Sequence, residues 1–127
     1  RNQSRCPPPP RGAAGPGWVG VESVVTEKLD GGNCCITSDG RVFARTHSKE
    51  ATNPWFSAAK GVAARVARCG ALPAGVCLFC ENLEAVHSID YGLLPSPLFV
   101  IAALDVPSMA FLTWPDTEAL AGGGGGG

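Results

Sequence analysis

Residues 34–46, CCITSDGRVFART, decide the fold class of this chain. Residues 34–37 and 41–46 are rich in the β-branched and apolar side chains that strands favour. Between them, Ser38-Asp39-Gly40 supplies the small polar residues and the glycine that a tight turn requires. The pattern therefore predicts a β-hairpin, whose two strands are antiparallel.

The segment before the hairpin predicts a further strand. Residues 18–26 are rich in valine and lead directly into Glu27 and Lys28. Residues 29–33 contain two glycines that can take positive φ angles, which predicts a turn before the hairpin begins. We therefore expect Lys28 at the end of a strand, immediately before a turn.

A helix and then separate strands are predicted after the hairpin. Apolar residues at three-to-four spacing predict a helix over residues 55–69, with Pro54 in its first turn and Gly70 as its C-terminal cap. Residues 76–82 and 98–105 predict strands, and residues 110–114 a short one. A hairpin followed by a helix and separate strands indicates an α+β domain with antiparallel pairing rather than alternating βαβ units.

Composition restricts both the domain organisation and the function. The 127 residues include 17 Gly and 11 Pro, with prolines at 7–10 and glycines at 122–127. This predicts a disordered segment over residues 1–17, one domain over 18–121 and a glycine tail over 122–127. Ten Lys and Arg against 11 Asp and Glu exclude binding of nucleic acid through bulk positive charge, although a localised basic site is compatible with that balance.

Neither a membrane span nor a signal peptide is predicted. No apolar run reaches the roughly 18 residues that a membrane span needs, and the N-terminal residues lead into prolines rather than an apolar segment. We therefore expect an intracellular location, in the cytoplasm or nucleus.

The six cysteines are interpreted as reduced thiols. Adjacent Cys34 and Cys35 lie on an apolar stretch, and the absence of an export signal favours an intracellular, reducing environment. Cys77 and Cys80 have CxxC spacing, but a structural zinc site normally needs a second such pair or suitable histidines. A zinc site is thus the less favoured alternative, and the pair also fits a strand.

Lys28 is the candidate nucleophile. An amine attacks phosphorus only when it is unprotonated, a form that burial or neighbouring cations favour. A lysine at the end of a strand, before a glycine-containing turn, can be held in a cleft where such effects operate. The alternative from the residues alone is an exposed lysine beside a turn.

Four segments resemble the covalent nucleotidyltransferases, which include DNA ligases, RNA ligases and mRNA capping enzymes. Residues 25–33, VTEKLDGGN, resemble their motif I, KxDG, and residues 40–48, GRVFARTHS, are similar to an arginine-bearing segment of RNA ligases. Residues 78–91, LFCENLEAVHSIDY, resemble motif III and the HSIxY segment of one branch of ATP-dependent RNA ligases, and residues 111–114, FLTW, a later strand. The matches run in order over residues 24–121, so the resemblance is to the RNA ligases in particular.

The resemblance implies a fold, a reaction and its substrates. The fold would be part of the ligase-type nucleotidyltransferase, or adenylylation, domain. Lys28 would attack the α-phosphate of ATP and release pyrophosphate, leaving a lysyl-AMP intermediate. The AMP would pass to the 5′-phosphate of one RNA end, and the 3′-hydroxyl of another end would displace it. Mg²⁺ is expected in both steps because it offsets phosphate charge.

The resemblance also implies five nucleotide contacts. Glu27 would meet the adenine edge, and Phe99 would cover the adenine ring. Asn33 and Arg45 would contact the sugar and the phosphates, a role that suits a planar guanidinium. Glu81, the motif III glutamate, would bind the ribose hydroxyls.

Several positions depart from the family pattern. Cys80 stands where a glycine usually precedes the motif III glutamate, and Ala102 where the following strand carries an acid. Neither the acidic residue of motif IV nor the lysine pair of motif V is recognisable after Trp114. The chain is therefore expected to be the N-terminal part of an adenylylation domain. The alternative is a truncated or degenerate, non-catalytic nucleotide-binding domain. A DNA ligase or capping enzyme fits the lysine motif but not the HSIxY segment.

Overall fold

A five-stranded antiparallel sheet with two helices forms the fold, and the α+β prediction is confirmed. The computed structural model describes residues 20–46 and 48–123. Its elements are β1 (Gly32–Thr37), β2 (Val42–Ala44), a short 3₁₀ helix (Pro54–Phe56), α1 (Ser57–Cys69), β3 (Val76–Asn82), β4 (Leu98–Asp105), β5 (Ala110–Phe111) and α2 (Trp114–Gly123). The strand order is β2-β1-β3-β4-β5, with every neighbouring pair antiparallel.

The predicted hairpin is confirmed, and its turn requires a glycine. The Thr37 amide donates to the Arg41 carbonyl at 3.0 Å, which closes the turn between β1 and β2. Gly40 has a φ of +86°, in the region that L side chains rarely adopt. A Cβ at this position would also lie 2.8 Å from the Ala67 Cβ on α1. The hairpin turn is thus packed directly against the helix.

Helix α1 and its predicted end are confirmed, but the predicted start at Pro54 and Trp55 forms the short 3₁₀ helix, and α1 itself begins at Ser57. The Asn53 side chain accepts a hydrogen bond from the Trp55 amide at 2.9 Å. Gly70 ends the helix in the left-handed conformation, with a φ of +60°. Glu84, which follows β3, accepts hydrogen bonds from the Ala58 amide at 2.9 Å and from the Ser57 hydroxyl. The start of the helix is thereby fixed to the end of the central strand.

The two faces of the sheet are packed differently. The face against α1, called the helix face here, holds the main core: Cys34, Ile36, Val42, Ala51, Ala59, Ala63, Val66, Leu72, Val76, Leu78, Cys80 and Ala103. The opposite, far face has a smaller apolar cluster of Cys35, Cys77 and Leu104, with Phe43 and Phe79 packed against it. Because side chains alternate along a strand, the residues adjacent to the core positions project from the far face.

The strand predicted over residues 18–26 is wrong for the part that the structure describes. Residues 20–31 form no strand, and Val24 takes part in an isolated bridge only. Residues 20–28 are all exposed, and among the described residues no neighbouring strand buries the valines at 21, 24 and 25 in the way that a β-pattern requires. Lys28 therefore does not end a strand. Residues 18 and 19 lie outside the described residues.

The strand predicted over residues 110–114 is too long, because a second helix begins at Trp114. The Thr113 hydroxyl accepts from the Asp116 amide at 3.3 Å and bonds the Asp116 carboxylate at 2.6 Å, an arrangement typical of a helix N-terminus. The helix continues to Gly123, so its last two residues come from the predicted glycine tail. The segments predicted as disordered, 1–17, and most of the tail, 124–127, lie outside the described residues. Neither described helix has the length and apolar character that crossing a membrane requires.

Candidate functional site

Three of the predicted site residues lie in one row across the sheet. Asn33 on β1 is paired with Glu81 on β3, and Glu81 is paired with Phe99 on β4. Directly paired residues share a face and have Cβ atoms about 4.5–5.5 Å apart. The row lies on the far face, because Asn33 alternates with the core residue Cys34. The polar Asn33 and Glu81 side chains thus stand beside an aromatic ring.

A bulge in the sheet decides which β4 residue joins this row. Phe79 is paired with Ala102, but Cys80 is paired with Val100, so Ile101 is the extra residue. An unbroken register would have placed Val100 opposite Glu81. With the bulge, Phe99 takes that place instead, and an aromatic ring replaces an aliphatic side chain beside the carboxylate. Bulges that re-aim a side chain in this way are frequent near functional sites.

The turn before β1 is tied to the same glutamate. The Gly31 amide donates to Glu81 Oε1 at 2.8 Å. The backbones approach so closely that a Cβ on Gly31 would lie 2.4 Å from the Asn82 carbonyl oxygen. Within the described part of the chain, no hydrogen bond engages Oε2 of Glu81, which leaves that oxygen able to accept from a ligand.

A second anchor holds the same turn. The Asp30 amide donates to the Tyr91 hydroxyl at 2.6 Å, and the Ser88 hydroxyl donates to the Asp30 carboxylate. The imidazole of His87 lies over Gly32, since a Cβ on that glycine would be 3.6 Å from its Nε2. The KLDG segment therefore meets the motif III and HSIxY segments in space, although about 50 residues of sequence separate it from them. The HSIxY segment carries part of the family resemblance, but nothing in the sequence alone indicates that Tyr91 and Ser88 hold the turn.

The remaining predicted site residues lie on exposed parts of the chain. Glu27 and Lys28 are exposed, on the irregular segment that leads into the anchored turn, with Lys28 three residues before Gly31. Arg45 is exposed and lies one residue beyond β2, at the point where a continued β1–β2 register would bring it opposite Asn33. Neither Lys28 nor Arg45 makes a hydrogen bond or an ion pair with another described residue.

Comparison with known proteins identifies the family. A family model for RNA ligase matches residues 21–125, which is 105 of the 127 residues. The chain belongs to the RNA ligase family. Neither a curated protein nor a solved structure gives a significant match. The anchored turn, the row of Asn33, Glu81 and Phe99, and the Tyr91 segment all lie within the matched residues.

Aromatic side chains continue along the far face of this RNA ligase family chain, from the row toward the hairpin end of the sheet. The Phe79 and Phe111 rings lie 6.1 Å apart, and the Arg41 guanidinium lies 5.4 Å from the Phe43 ring centre. Phe79 is the next far-face residue after Glu81 on β3. Aromatic rings and a stacked guanidinium are surfaces on which nucleobases stack in many proteins.

The thiols of the RNA ligase family chain are placed in two pairs on the sheet. Cys34 and Cys80 are directly paired across β1 and β3 on the helix face. The hydrogen bond with the Cys34 sulfur, and burial, raise the pKa of the Cys80 thiol. On the far face, burial raises the pKa of the Cys35 thiol to about 12, and the neighbouring Cys77 sulfur adds to the shift. The described cysteines are all free thiols: Cys34, Cys35, Cys69, Cys77 and Cys80. Cys6 lies outside the described residues.

A separate cavity lies between β4 and α2. Its volume is about 350 Å³, and it is lined by Leu98, Phe99, Val100, Trp114, Thr117, Glu118, Ala121 and Gly122. The indole nitrogen of Trp114 is buried there without a hydrogen-bond partner in the described part of the chain. Phe99 is the one residue that the cavity shares with the row.

Proposed function

We propose that this chain holds the nucleophile and the adenosine side of an ATP-dependent adenylylation site. The observation that supports it most directly is the hydrogen bond from the Gly31 amide to Glu81, at 2.8 Å. This contact joins the KLDG turn to the motif III glutamate on the central strand. Gly31 follows Lys28 by three residues and bonds the middle member of the row formed by Asn33, Glu81 and Phe99, which supports assigning Lys28 to the same site.

In the proposed reaction, Lys28 forms a covalent bond to AMP. The unprotonated Lys28 Nζ attacks the α-phosphorus of ATP, a P–N bond forms, and the P–O bond to pyrophosphate breaks. The amine loses a proton in this step. An oxygen of an RNA 5′-phosphate then attacks the same phosphorus, breaks the P–N bond and releases the lysine. Finally, an RNA 3′-hydroxyl attacks the activated 5′-phosphate, and AMP leaves.

The row of residues accounts for binding of the adenosine. Oε2 of Glu81 accepts hydrogen bonds from the ribose hydroxyls, while Oε1 keeps the turn in place. Phe99, paired with Glu81, covers the adenine ring, because base and ribose are neighbours in a nucleotide just as the two side chains are on the sheet. Asn33 contacts the sugar from the other side of Glu81.

Glu27 and Arg45 complete the proposed contacts from the two ends of the site. Glu27 meets the adenine edge, and the Arg45 guanidinium binds phosphate oxygens in the bidentate geometry to which it is suited. Both are exposed and accessible to a ligand. Mg²⁺ enters as part of the substrate, bound to the phosphates of ATP. Within residues 20–46 and 48–123, no three His, Cys, Asp or Glu side chains are grouped to hold a metal ion.

A non-catalytic nucleotide-binding domain is the competing function. The observation that favours it is the distribution of cations: no Lys or Arg follows Arg68 in the sequence. A lysine amine in water is protonated at neutral pH, and transfer of a phosphoryl group also needs positive charge to stabilise the transition state. We therefore expect the 127-residue chain alone to form little or no lysyl-AMP.

Labelling with ATP that carries a radioactive α-phosphate separates the two functions. The chain alone is compared with a version extended beyond residue 121 by the C-terminal half of an RNA ligase adenylylation domain. The extended protein should become labelled at Lys28, as shown by denaturing electrophoresis and peptide mapping. Lys28→Ala should abolish the label, whereas Lys60→Ala, on the exposed surface of α1, should not.

Three results would count against parts of the proposal. Label on any residue other than Lys28 would overturn the assignment of the nucleophile. An extended protein that binds ATP without becoming labelled would favour the non-catalytic alternative. Efficient labelling of the 127-residue chain alone would show that the later cations are not needed.

A further inference from the structure

The KLDG turn is held by side chains rather than by the sheet. The pairing of β1 with β3 begins at Gly32, so the amides of Asp30 and Gly31 lie just outside it. Each of these two amides nevertheless has a partner, the first in the Tyr91 hydroxyl and the second in the Glu81 carboxylate. Because backbone amides in a partly buried turn must be paired, the conformation of the turn depends on these two side chains.

The Tyr91 and Ser88 side chains, together called the clasp, bind Asp30 at its backbone amide and at its carboxylate. Tyr91 accepts from the Asp30 amide at 2.6 Å, and Ser88 donates to the Asp30 carboxylate. The surrounding loop contributes little to the core: Val86, Ile89 and Leu93 are exposed large apolar residues. The clasp is therefore a local polar contact on a loop, made to the residue two positions after Lys28.

We infer that the clasp is a positioning device for nucleotide binding, with Tyr91 as its main positioning residue. The inference rests on the proposed function, since it is the nucleophile turn that the clasp would hold in place. Glu81 must present one oxygen to Gly31 and the other to the ligand. The two carboxylate oxygens keep these separate partners only while the turn stays at a fixed distance from β3. Displacements of about 1 Å in a catalytic arrangement can cost on the order of 100-fold in rate.

The chemistry of the clasp explains why a tyrosine is needed. The aromatic ring spans the distance from the loop to the turn, and the hydroxyl at its end accepts the amide hydrogen. Phenylalanine has the same ring and lacks only the acceptor. Tyr91→Phe therefore removes one hydrogen bond while preserving the packing of a half-buried side chain.

The test compares two variants with a matched control in the 127-residue chain. Tyr91→Phe and Ser88→Ala each remove one contact to Asp30. Ser96→Ala removes a serine whose hydroxyl bonds only Leu98, in the same loop but away from the turn. Amide hydrogen exchange at Asp30 and Gly31 is measured by NMR, and AMP affinity by titration. The melting temperature checks that each variant is folded.

Tyr91→Phe is expected to speed exchange of the Asp30 amide at least tenfold and to weaken AMP binding about three- to tenfold, the loss of one hydrogen bond. Ser88→Ala should weaken binding in the same direction, and Ser96→Ala should change neither quantity. The melting temperature of all three should stay close to that of the wild type, which distinguishes positioning from general support of the fold.

The outcomes separate this inference from the proposed function. Wild-type chain that binds no AMP would overturn the proposed function, and the inference with it. Wild-type chain that binds AMP, with Tyr91→Phe binding equally well, would overturn the inference alone. Faster exchange at Asp30 with unchanged AMP affinity would also overturn the inference, because the clasp would then be purely structural.

Discussion

Substitution of Gly31 by alanine should destabilise the fold strongly, although alanine is ordinarily a mild replacement. The new Cβ would lie 2.4 Å from the Asn82 carbonyl oxygen and 2.5 Å from Leu83 Cδ2. Favourable contacts need about 3.5 Å, so the turn and β3 would have to separate by roughly 1 Å. The Asn82 carbonyl cannot move easily, because this buried residue also donates to the Trp55 carbonyl at 2.6 Å.

The magnitude follows from two effects. Overpacking of this kind typically costs about 1–3 kcal/mol. Separation of the strands also breaks the bond from the Gly31 amide to Glu81, and hydrogen bonds to charged groups contribute about 1.5–3 kcal/mol. Water can reach the half-buried Glu81 and offset part of the second loss. We expect Gly31→Ala to lower the free energy of unfolding by about 2–4 kcal/mol.

Gly61→Ala is the matched control, with the opposite expected sign. Gly61 is exposed within α1, and a Cβ there would meet nothing within 4 Å beyond its chain neighbours and the adjacent backbone of the helix. Alanine should stabilise the helix there by about 0.5–1 kcal/mol. Urea denaturation followed by circular dichroism gives both free energies. An unfolding free energy of Gly31→Ala equal to that of the wild type would refute the close approach of the turn to β3.

Two further predictions concern titratable groups. Glu84→Gln should lower the free energy of unfolding by about 1 kcal/mol, because Glu84 caps α1, while the exposed Glu50→Gln should change it little in the same urea assay. Hydrogen bonds from the Ser57 hydroxyl and the Ala58 amide hold the pKa of Glu84 below its usual range, so its contribution to stability should be lost as the pH falls towards that lowered value. If Glu84→Gln lost as much stability as the wild type over the same fall in pH, the assignment would be contradicted. Burial raises the pKa of the Cys35 thiol to about 12 in the folded chain, whereas the exposed thiol of the unfolded chain has a pKa of about 8.5. The free energy of unfolding of the wild type should therefore fall as the pH rises between these two values. Across that range the melting temperature of Cys35→Ala should depend less on pH than that of the wild type. The same pH dependence in both proteins would refute the effect of burial on Cys35.

Elements with a complete local pattern were predictable from sequence. The hairpin has its own turn residues, and the helical segment 54–69 has a proline start, apolar spacing and a glycine end. The strand over residues 18–26 was wrong because valine content indicates a strand only where a partner strand exists. Helix α2 was missed although Thr113 and Asp116 have the spacing of a helix N-terminus. The glycines that follow favour a tail over a helix, because glycine is a poor helix former.

The candidate site was predictable in composition but not in arrangement. The KLDG and motif III residues were visible in the sequence, but their contact joins Gly31 to a residue 50 positions away. Whether Phe99 or Val100 is opposite Glu81 depends on the bulge at Ile101, which no local pattern indicates. The role of Tyr91 was not predictable from its family segment, because it depends on the loop folding back onto the turn at Asp30. Chain topology, rather than residue type, determines each of these contacts.

The most direct test of the proposed site is a map of AMP binding on the 127-residue chain by amide chemical shifts. The row of Asn33, Glu81 and Phe99 and the cavity beside Trp114 and Thr117 are separate surfaces that share only Phe99. We predict that the largest shifts occur at Asn33 and Glu81 and that Glu81→Gln reduces them. The largest shifts at Trp114 and Thr117, or no shifts at millimolar AMP, would contradict the assignment of the nucleotide to the far face.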